Sequence, residues 1–375
     1  MTSNTSFSRR QVLQWSAIAA GAGILQGCST MSDHATPGTP SSSHANRLYL
    51  TACSGVVPLK SRQLGLQRLS QAGFLLENQD CVARSYQRFA GSDSQRLADL
   101  NLLATMAEPP KLILAGRGGY GAMRLLPHID YARLGAQLKA SESLLIGYSD
   151  FSAIQLALLA RCGLGGFAGP MLTDFGAQHP SGYAVREFAH AIAAPRRTLQ
   201  ALVPQQQSGK GEGVFWGGNL SVLSSLAGTP YLPDIRGGLL FLEDVGEQPY
   251  RVERMLQQLH LAGVLSRQRA IFLGDFSMQR QIDAYDPSYN FEAVVAELRR
   301  ISGVPVFTGV PFGHIHDKTT LPLGYHASYQ ADASGWSLSF DGYPTVAEGS
   351  FQADALLAPP LESADGAQPG LMPSA

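Results

Sequence analysis

The sequence has little charge and little cysteine for its length. Asp, Glu, Lys and Arg make up 15% of the 375 residues, the formal net charge is −1, and there are 4 cysteines. With 45% hydrophobic residues the chain is too apolar for a disordered protein, and its low charge excludes a coiled coil. The 40 glycines follow no period of three, which excludes a collagen-like chain. We expect a globular protein of two domains, or of one large α/β domain.

Signals for nucleic-acid and zinc binding are also missing. Lys and Arg form no cluster, so sustained binding to a nucleic acid is not expected. No spacing of Cys and His matches a zinc motif, and we predict neither a metal nor another cofactor. Apart from Cys28, the cysteines are Cys53, Cys81 and Cys162, and three thiols allow at most one disulfide. These absences favour an enzyme or binding protein that acts on something small.

The amino terminus has the pattern of an export signal. Residues 8–14 read SRRQVLQ, a twin-arginine pattern, and no Asp or Glu precedes Asp33. The apolar stretch at 15–25 is about 16 Å long as a helix, whereas a bilayer core of about 30 Å needs about 20 residues. We therefore interpret residues 1–28 as a twin-arginine signal peptide and not as a membrane span. An ordinary first helix is the alternative.

The end of this segment resembles a lipoprotein processing site. Cys28 stands where the lipidated cysteine would be, although Gln26 is unusual at its position. Acyl chains on Cys28 would tether a water-soluble body to a membrane, and simple cleavage nearby is the alternative. Residues 29–46, rich in Ser, Thr, Pro and Gly, are expected to form a flexible tether. A second flexible segment is predicted for the Ala/Pro/Gly-rich tail at 350–375.

Apolar strands and amphipathic helices alternate through residues 47–194, the predicted first domain. The pattern predicts strands at 47–52, 111–115 and 143–147 and helices at 64–72 and 151–161. Such alternation is typical of a parallel sheet with helices on both faces. Functional groups in such a sheet collect at the carboxyl ends of the strands.

The periodicity fades at 195–213, where Pro, Gln and Gly accumulate, and we interpret this segment as a linker. The predicted second domain covers 214–349. It has a helix from Asn219 to Ala227, with Asn219 as N-cap. Further patterns predict strands at 238–242, 270–274 and 305–307 and an amphipathic helix around 252–259.

A serine lies where a buried strand of the first domain meets a helix. Residues 146–151 read IGYSDF, and a sharp turn there would lift the hydroxyl of Ser149 out of the sheet. The free N–H groups at the helix start and the helix dipole would favour an oxyanion beside it. Phe151 replaces the second Gly of G-x-S-x-G, which disfavours a lipase-type turn. These residues alone leave Ser149 either a nucleophile or only a helix cap.

A serine nucleophile needs a base, and the base needs an acid to orient it. His34 and His44 lie in the predicted tether, and His260 lies in an amphipathic helix. His314 and His316 follow a predicted strand, where catalytic groups tend to lie. Because alternate side chains of an extended segment point in opposite directions, only one of these two is expected to serve.

Three acids are candidates for the orienting role. Glu243 and Asp244 end an apolar predicted strand, and Glu247 follows on the next turn. Pairing with Arg251 or Arg254 is the structural alternative, and the spacing does not separate it from a functional role.

A glycine-rich segment, GRGGYG at 116–121, follows another predicted strand. A phosphate loop would need G-K-[ST], or a G-x-G-x-x-G followed by a ribose-binding acid, and neither fits. Glycine also lets a backbone approach a reacting carbonyl closely. We therefore interpret the N–H of Gly119 or Gly118 as an oxyanion donor, with the N–H of Asp150 as its partner. One such donor contributes about 10²–10³ in rate.

Five ordered blocks together resemble the LD-carboxypeptidase family of serine peptidases, which also contains the microcin C self-immunity peptidases. The blocks are GRGGYG at 116–121, GYSD at 147–150, WGGNL at 216–220, FLED at 241–244 and GH at 313–314, the last followed by LPLG at 321–324. The resemblance extends over roughly residues 47–345.

The resemblance implies a catalytic triad in the chain order Ser, Glu, His. Matched block by block, Ser149 is the nucleophile, Glu243 the orienting acid and His314 the general base. The N–H groups of Gly119 and Asp150 would form the oxyanion hole.

The family's fold is also implied: a flavodoxin- or Rossmann-like α/β domain with a parallel sheet, then a smaller β-rich domain, with the active site at their junction. Homodimers are usual in the family. Tyr120, Trp216 and Asn219 lie in the matching blocks and are expected to bind substrate. A substrate carboxylate needs a cation or N–H donors. Arg117 and Lys318 lie near the blocks, and the sequence assigns this role to neither.

The implied reaction is hydrolysis of the LD-amide bond before the terminal D-alanine of murein tetrapeptides, which yields tripeptides. An exported form would meet murein fragments or the sacculus in the periplasm, with a lipid anchor as its attachment to a membrane. Two alternatives stay open. One is a microcin C-type immunity peptidase that cleaves aminoacyl or peptidyl nucleotide conjugates, and the other is a non-catalytic muropeptide-binding lipoprotein.

Overall fold

The computed structural model describes residues 46–278 and 281–359. The predicted signal peptide, the Cys28 lipidation site and almost all of the predicted tether lie outside these residues. Within them, no helix is both long enough and apolar enough to cross a bilayer. Cys53, Cys81 and Cys162 are free thiols.

Strands and helices of the described residues are numbered here in chain order. The strands are β1 (Arg47–Thr51), β2 (Leu75–Glu77), β3 (Leu112–Ala115), β4 (Leu144–Gly147), β5 (Gly166–Ala168), β6 (Arg196–Ala201), β7 (Gly209–Asn219), β8 (Leu239–Glu243), β9 (Ala270–Leu273), β10 (Val306–Phe307), β11 (Leu321–Leu323), β12 (Tyr325–Asp332) and β13 (Gly335–Asp341). The helices are α1 (Leu59–Gln71), α2 (Asp93–Thr105), α3 (Tyr131–Ala140), α4 (Ser152–Cys162), α5 (Leu172–Phe175), α6 (Gly182–Ala193), α7 (Leu220–Ser225), α8 (Pro249–Leu261) and α9 (Phe291–Ser302).

The first sheet has the order β11-β5-β4-β3-β1-β2. Strands β1 to β5 run parallel in the flavodoxin-like order 2-1-3-4-5, and β11 joins β5 antiparallel. Strands β3, β4 and β5 are buried along their whole length. Parallel strands covered on both faces are apolar throughout, which is why the sequence pattern predicts β1, β3 and β4. It does not predict β2, β5 or the antiparallel strand β11.

The second sheet has the order β10-β9-β8-β7-β12-β13-β6. Strands β7 to β10 are parallel, and β12, β13 and β6 extend the sheet with antiparallel pairs. Helices α7, α8 and α9 connect the parallel strands, and α8 packs against both α7 and α9. The second domain is therefore strand-rich, as expected. The two domains meet where α4 packs against α7 and β7.

The prediction of a linker at 195–213 is wrong. Strand β6 forms an edge of the second sheet, and its residues alternate between exposed and buried. This alternation is hard to recognise in the sequence because a charged residue, Arg197, occupies one of the inward-facing positions. The other inward-facing residues of the strand are small or apolar. Its guanidinium pairs with Glu187 at 2.5 Å and donates to the carbonyl of Thr320 at 2.6 Å. Only residues 202–208 connect β6 to β7.

The prediction of a flexible tail is wrong for its described part, residues 350–359. The ring of Phe351 stacks on Phe74 with centroids 4.9 Å apart, and Leu356 is fully buried. Arg68 Nε donates to a carbonyl of this segment at 2.7 Å. The chain therefore returns to the first domain through a few anchoring residues, which the Ala- and Pro-rich composition conceals.

Candidate active site

Ser149 lies in a strained turn between β4 and α4. Its φ is 61°, in the left-handed region that residues other than glycine seldom adopt. The turn is tight at Gly147, where an added Cβ would lie 2.5 Å from the ring of Phe151. The hydroxyl caps neither the turn nor α4, so the interpretation of Ser149 as a helix cap is wrong. The turn instead presents the hydroxyl at the carboxyl end of the sheet, as a nucleophile requires.

His314 joins Ser149 to Glu243 in one row of hydrogen-bonding groups. Its Nε2 lies 3.0 Å from Ser149 Oγ, and its Nδ1 lies 2.9 Å from Glu243 Oε2. The Glu243 side chain is 1% exposed at the carboxyl end of β8. Since a carboxylate accepts hydrogen bonds, Nδ1–H donates to Glu243 and Nε2 is left to accept from the serine hydroxyl. Residues 165 positions apart in the chain thus meet in one site.

The other two acidic candidates have structural partners. Asp244 Oδ2 accepts hydrogen bonds from the N–H and hydroxyl of Ser221 at the start of α7, and burial raises the pKa of Asp244. Glu247 pairs with Arg251 at 3.5 Å. Of the three carboxylates considered in the sequence, Glu243 is the one that reaches His314.

His316, the second histidine of the loop, points away from Ser149. Its Nε2 lies 3.0 Å from the carbonyl of His179 and its Nδ1 lies 2.8 Å from Asp317 Oδ1. The His179 carbonyl, together with Asp317, raises the pKa of His316. Of the two histidines, His314 is the one that contacts the serine, and the two side chains point in different directions as the sequence analysis expects.

Asn219 is not placed to bind substrate, and that prediction is wrong. Its Oδ1 caps α7 by accepting from Val222 N–H at 3.1 Å. Its Nδ2 donates to Glu243 Oε1 at 3.2 Å and to Asp244 Oδ1 at 3.3 Å. The residue is 5% exposed, so its polar atoms are committed inside the protein. Asn219 therefore positions Glu243, whose other oxygen holds His314.

Trp216 is also wrongly predicted as a substrate-binding residue. It is fully buried in β7, and its indole N–H donates to Gln268 Oε1 at 3.0 Å. The WGGNL block at 216–220 instead affects the local structure through its backbone. An added Cβ at Gly217 would lie 1.9 Å from the carbonyl oxygen of Phe241, so the two strands approach at a position where only glycine fits.

The glycine-rich loop after β3 lies directly against the nucleophile. An added Cβ at Gly118 would lie 2.7 Å from Ser149 Oγ and 3.5 Å from the nitrogen of Asp150. Gly119 has a φ of 109°, and Tyr120 is 45% exposed beside it. The structure thus places these residues where the sequence analysis expects oxyanion donors and a substrate contact. Their roles stay predictions.

A buried carboxylate ties this loop to the serine turn. Asp150 Oδ2 accepts from the N–H of Ala122 at 2.8 Å, and burial raises the pKa of Asp150. Arg96, fully buried, donates to the carbonyls of Cys53 and Gly121. The ends of β1, β3 and β4 are therefore held together around the site.

Lys318, Tyr148 and Asp174 form a cluster beside the triad, and the sequence analysis does not predict these contacts. Lys318 Nζ donates to Tyr148 Oη at 3.0 Å and to Asp174 Oδ1 at 2.5 Å. The Tyr148 ring packs edge-on against His314, with ring centroids 5.1 Å apart, and burial raises the pKa of Tyr148 well above its usual range. The position of Lys318, four residues after His314, is the sequence signal that could have suggested this contact.

These elements define a class of protein. A serine in a strained strand-to-helix turn, an imidazole beside it and a buried carboxylate behind the imidazole form the arrangement of a serine hydrolase. The flavodoxin-like sheet supplies the serine, and the second domain supplies the carboxylate and the imidazole.

Comparison with known proteins assigns the family. Residues 48–169 match the LD-carboxypeptidase N-terminal domain, and residues 212–328 match the LD-carboxypeptidase C-terminal domain. The chain belongs to the LD-carboxypeptidase family of serine peptidases, and it is an LD-carboxypeptidase.

Individual relatives agree with this assignment. The probable murein peptide carboxypeptidase of Bacillus subtilis (strain 168) is 35% identical over 71% of this chain and 80% of its own length. The crystal structure of muramoyltetrapeptide carboxypeptidase from Oxalobacter formigenes has a TM-score of 0.74 and 37% identity, and the match covers 80% of this chain and 100% of that chain. The microcin C7 self-immunity protein of Escherichia coli is 26% identical over 78% of this chain and 92% of its own length.

Proposed function

We propose that the protein hydrolyses the LD-amide bond before the terminal D-alanine of murein tetrapeptides, with Ser149, His314 and Glu243 as its catalytic triad. The observation that carries this proposal is the row of two hydrogen bonds, 3.0 Å and 2.9 Å long, that links the three side chains. The names of the relatives, murein peptide and muramoyltetrapeptide carboxypeptidases, support the substrate class.

Acylation would begin with attack of Ser149 Oγ on the carbonyl carbon of the scissile amide. His314 Nε2 takes the hydroxyl proton, and Glu243 stabilises the imidazolium that forms. The N–H groups of Gly119 and Asp150 hold the oxyanion. His314 then gives the proton to the nitrogen of D-alanine, the C–N bond breaks, and the tripeptide stays attached to Ser149 as an ester.

Deacylation would use the same groups in reverse. His314 accepts a proton from a water molecule as its oxygen attacks the ester carbonyl, and then returns that proton to Ser149 Oγ. The tripeptide leaves with a free carboxylate, and the enzyme is restored. Side chains, backbone N–H groups and water supply every proton and nucleophile in this scheme, so a metal chelator should leave turnover unchanged.

Release of D-alanine from purified murein tetrapeptide tests the proposal. Wild type should release one D-alanine per tetrapeptide, and Ser149→Ala should reduce the rate by about 10⁴-fold or more. Ser70→Ala, an exposed serine of α1, is the matched control and should keep the wild-type rate. Undiminished activity in Ser149→Ala would contradict the triad. Binding without turnover by both wild type and Ser149→Ala would favour the muropeptide-binding alternative.

A microcin-type activity is the second candidate, supported by the match to 92% of the length of the microcin C7 self-immunity protein. The same assay with an aminoacyl sulfamoyl nucleoside in place of tetrapeptide compares the two substrate classes. A higher kcat/KM for the nucleoside conjugate would favour the second candidate over the first.

We further propose that the protein is exported by the twin-arginine route, anchored through Cys28 and active in the periplasm. The SRRQVLQ pattern at 8–14 and the position of Cys28 support this proposal. The double variant Arg9→Lys, Arg10→Lys should accumulate uncleaved in the cytoplasm, and mass spectrometry should detect acyl chains on Cys28 of the wild type. Normal export of the double variant would contradict the proposed export route.

The homodimer implied by the resemblance stays a prediction, which light scattering of the purified protein tests.

A further inference from the structure

Two arginines beside the site, Arg88 and Arg117, form no salt bridge in the described part of the chain, and Arg88 acts electrostatically on the buried carboxylate of Asp150. Both side chains are exposed. The Arg88 guanidinium lies 5.8 Å from the ring centroid of Tyr120. Arg117 uses Nη1 to donate to the carbonyl of Val56 at 2.7 Å, and its guanidinium forms no other hydrogen bond and no ion pair among residues 46–278 and 281–359.

Val56 hydrogen-bonds to the backbone of Arg88 and to the side chain of Arg117. Its N–H donates to the carbonyl of Arg88 at 3.1 Å, and its own carbonyl accepts from Arg117 Nη1. The preceding residue, Gly55, donates its N–H to the carbonyl of Gly118 at 3.1 Å. The loop after β1 is thus joined to the segment between β2 and α2, which carries Arg88, and to the loop after β3, which carries Arg117.

The loop that carries Arg117 also contacts the nucleophile. Arg117 directly precedes Gly118, and an added Cβ at Gly118 would lie 2.7 Å from Ser149 Oγ. Gly55, which donates to the Gly118 carbonyl, lies beside Arg117, since an added Cβ at Gly55 would be 3.6 Å from Arg117 Nη1. A single C-terminal residue adds only about 3.8 Å beyond the scissile bond, so its carboxylate would stay near this loop.

The other cations of this region already have carboxylate partners. Arg96 and Arg124 both pair with Asp93, and Lys318 pairs with Asp174. Among these five cations of the described residues, Arg88 and Arg117 are the two that form no salt bridge.

We propose that Arg88 and Arg117 bind the free carboxylate of the C-terminal residue of the substrate and so make the enzyme an exopeptidase. This inference rests on the proposed function and names the recognition element of the same site. A guanidinium presents parallel N–H donors that match the two oxygens of a carboxylate, and it keeps its charge at every physiological pH. A substrate whose C-terminus is an amide offers no such partner and would leave both cations uncompensated.

Paired substrates test the proposal in the full-length mature protein. Rates of hydrolysis are measured for two substrates, murein tetrapeptide and the same peptide with a C-terminal carboxamide. The proteins compared are wild type, Arg88→Gln, Arg117→Gln and the double variant. Arg133→Gln, which replaces an exposed arginine of α3, is the control. Each substitution at Arg88 or Arg117 should lower kcat/KM for the free acid by about 10- to 100-fold, the loss expected for a hydrogen-bonded charge. The values for the carboxamide should change by less than about threefold, so that the preference for the free acid disappears.

Equal losses on both substrates, or an unchanged preference in the double variant, would overturn the proposal. The control Arg133→Gln should match wild type on both. Arg117→Lys, which keeps the charge and loses the forked geometry, should recover part of the preference.

A second measurement does not depend on turnover of the tetrapeptide. A fluorophosphonate labels the nucleophilic serine, and N-acetyl-D-alanine is added as the carboxylate probe, with N-acetyl-D-alaninamide as its neutral control. The acid should slow labelling of wild type and not of the double variant, each rate being taken relative to the same protein without probe. If N-acetyl-D-alanine protects wild type from labelling but wild type does not hydrolyse tetrapeptide, the carboxylate site is supported and the proposed substrate is rejected. Equal protection of wild type and double variant would reject the site itself.

Discussion

Asn219 Nδ2 lies 3.2 Å from Glu243 Oε1, while the other oxygen of the same carboxylate holds His314. Glu243 is therefore fixed from both sides, and its side chain is 1% exposed. A buried carboxylate needs hydrogen bonds to each oxygen, because its desolvation is otherwise uncompensated. The N-cap of α7 thus orients the His314 imidazole through one intervening carboxylate.

The charge of the Glu243 side chain should affect turnover more than its shape does. Glu243→Gln keeps the volume and removes the negative charge that selects the Nδ1–H tautomer and stabilises the imidazolium. We expect kcat for tetrapeptide hydrolysis to fall by about 10³- to 10⁴-fold with little change in KM. Glu247→Gln is the control, since Glu247 pairs with Arg251 outside the triad. Steady-state kinetics on both variants checks this prediction, and a loss of less than tenfold in Glu243→Gln would contradict it.

Removal of the Asn219 amide should affect both stability and turnover. Asn219→Ala loses the cap of α7 and leaves one oxygen of buried Glu243 without a donor, so we expect destabilisation by about 1–3 kcal/mol. We also expect kcat to fall about tenfold, because Glu243 is less firmly held. Asn290→Ala removes an equivalent cap, at α9, away from the triad. Denaturant unfolding and kinetics together separate the two roles, and equal kcat losses in both variants would reject the positioning role.

The buried Lys318 ammonium should be needed for folding stability. Lys318→Met leaves the Asp174 carboxylate and the Tyr148 hydroxyl without their cation, and breaking such a buried pair costs about 3–5 kcal/mol. Because Tyr148 packs against His314, kcat should fall as well. Lys111→Met breaks a more exposed pair with Glu142 and should cost less than about 1 kcal/mol. Urea unfolding of both variants measures the difference, and similar costs would contradict the prediction.

His316 should contribute to stability in a pH-dependent way without contributing to turnover. The His179 carbonyl and Asp317 raise its folded-state pKa above 6.5. Its contribution is therefore fully present below the unfolded pKa and is lost as pH rises through the folded pKa. Wild type should exceed His316→Ala in melting temperature at pH 6, and the difference should shrink toward pH 9. An advantage of wild type that grows with pH would contradict the sign.

Much of the architecture could be predicted because burial leaves a direct mark on the sequence. Strands β3 and β4 are continuous apolar runs, and the Asn219 cap marks the start of α7. The alternation of β6 is interrupted by Arg197, a charged residue whose partner, Glu187, lies in α6, so the sequence does not predict this strand. The packing of residues 350–359 is not predicted for a related reason, since their partners in the first domain lie far away in the sequence.

Residue type and position after a strand made Ser149, His314 and Glu243 candidates, and the resemblance to the LD-carboxypeptidase family selected them from the alternatives that the residues alone left open. These signals were not enough to assign Trp216 and Asn219, whose side chains turn inward toward Gln268 and Glu243. Which way a side chain faces depends on strands that pair across long stretches of sequence. The convergence of the triad, the burial of Lys318 and the grouping of Arg88 with Arg117 therefore follow from the packing of loops and domains, which no local pattern of residues encodes.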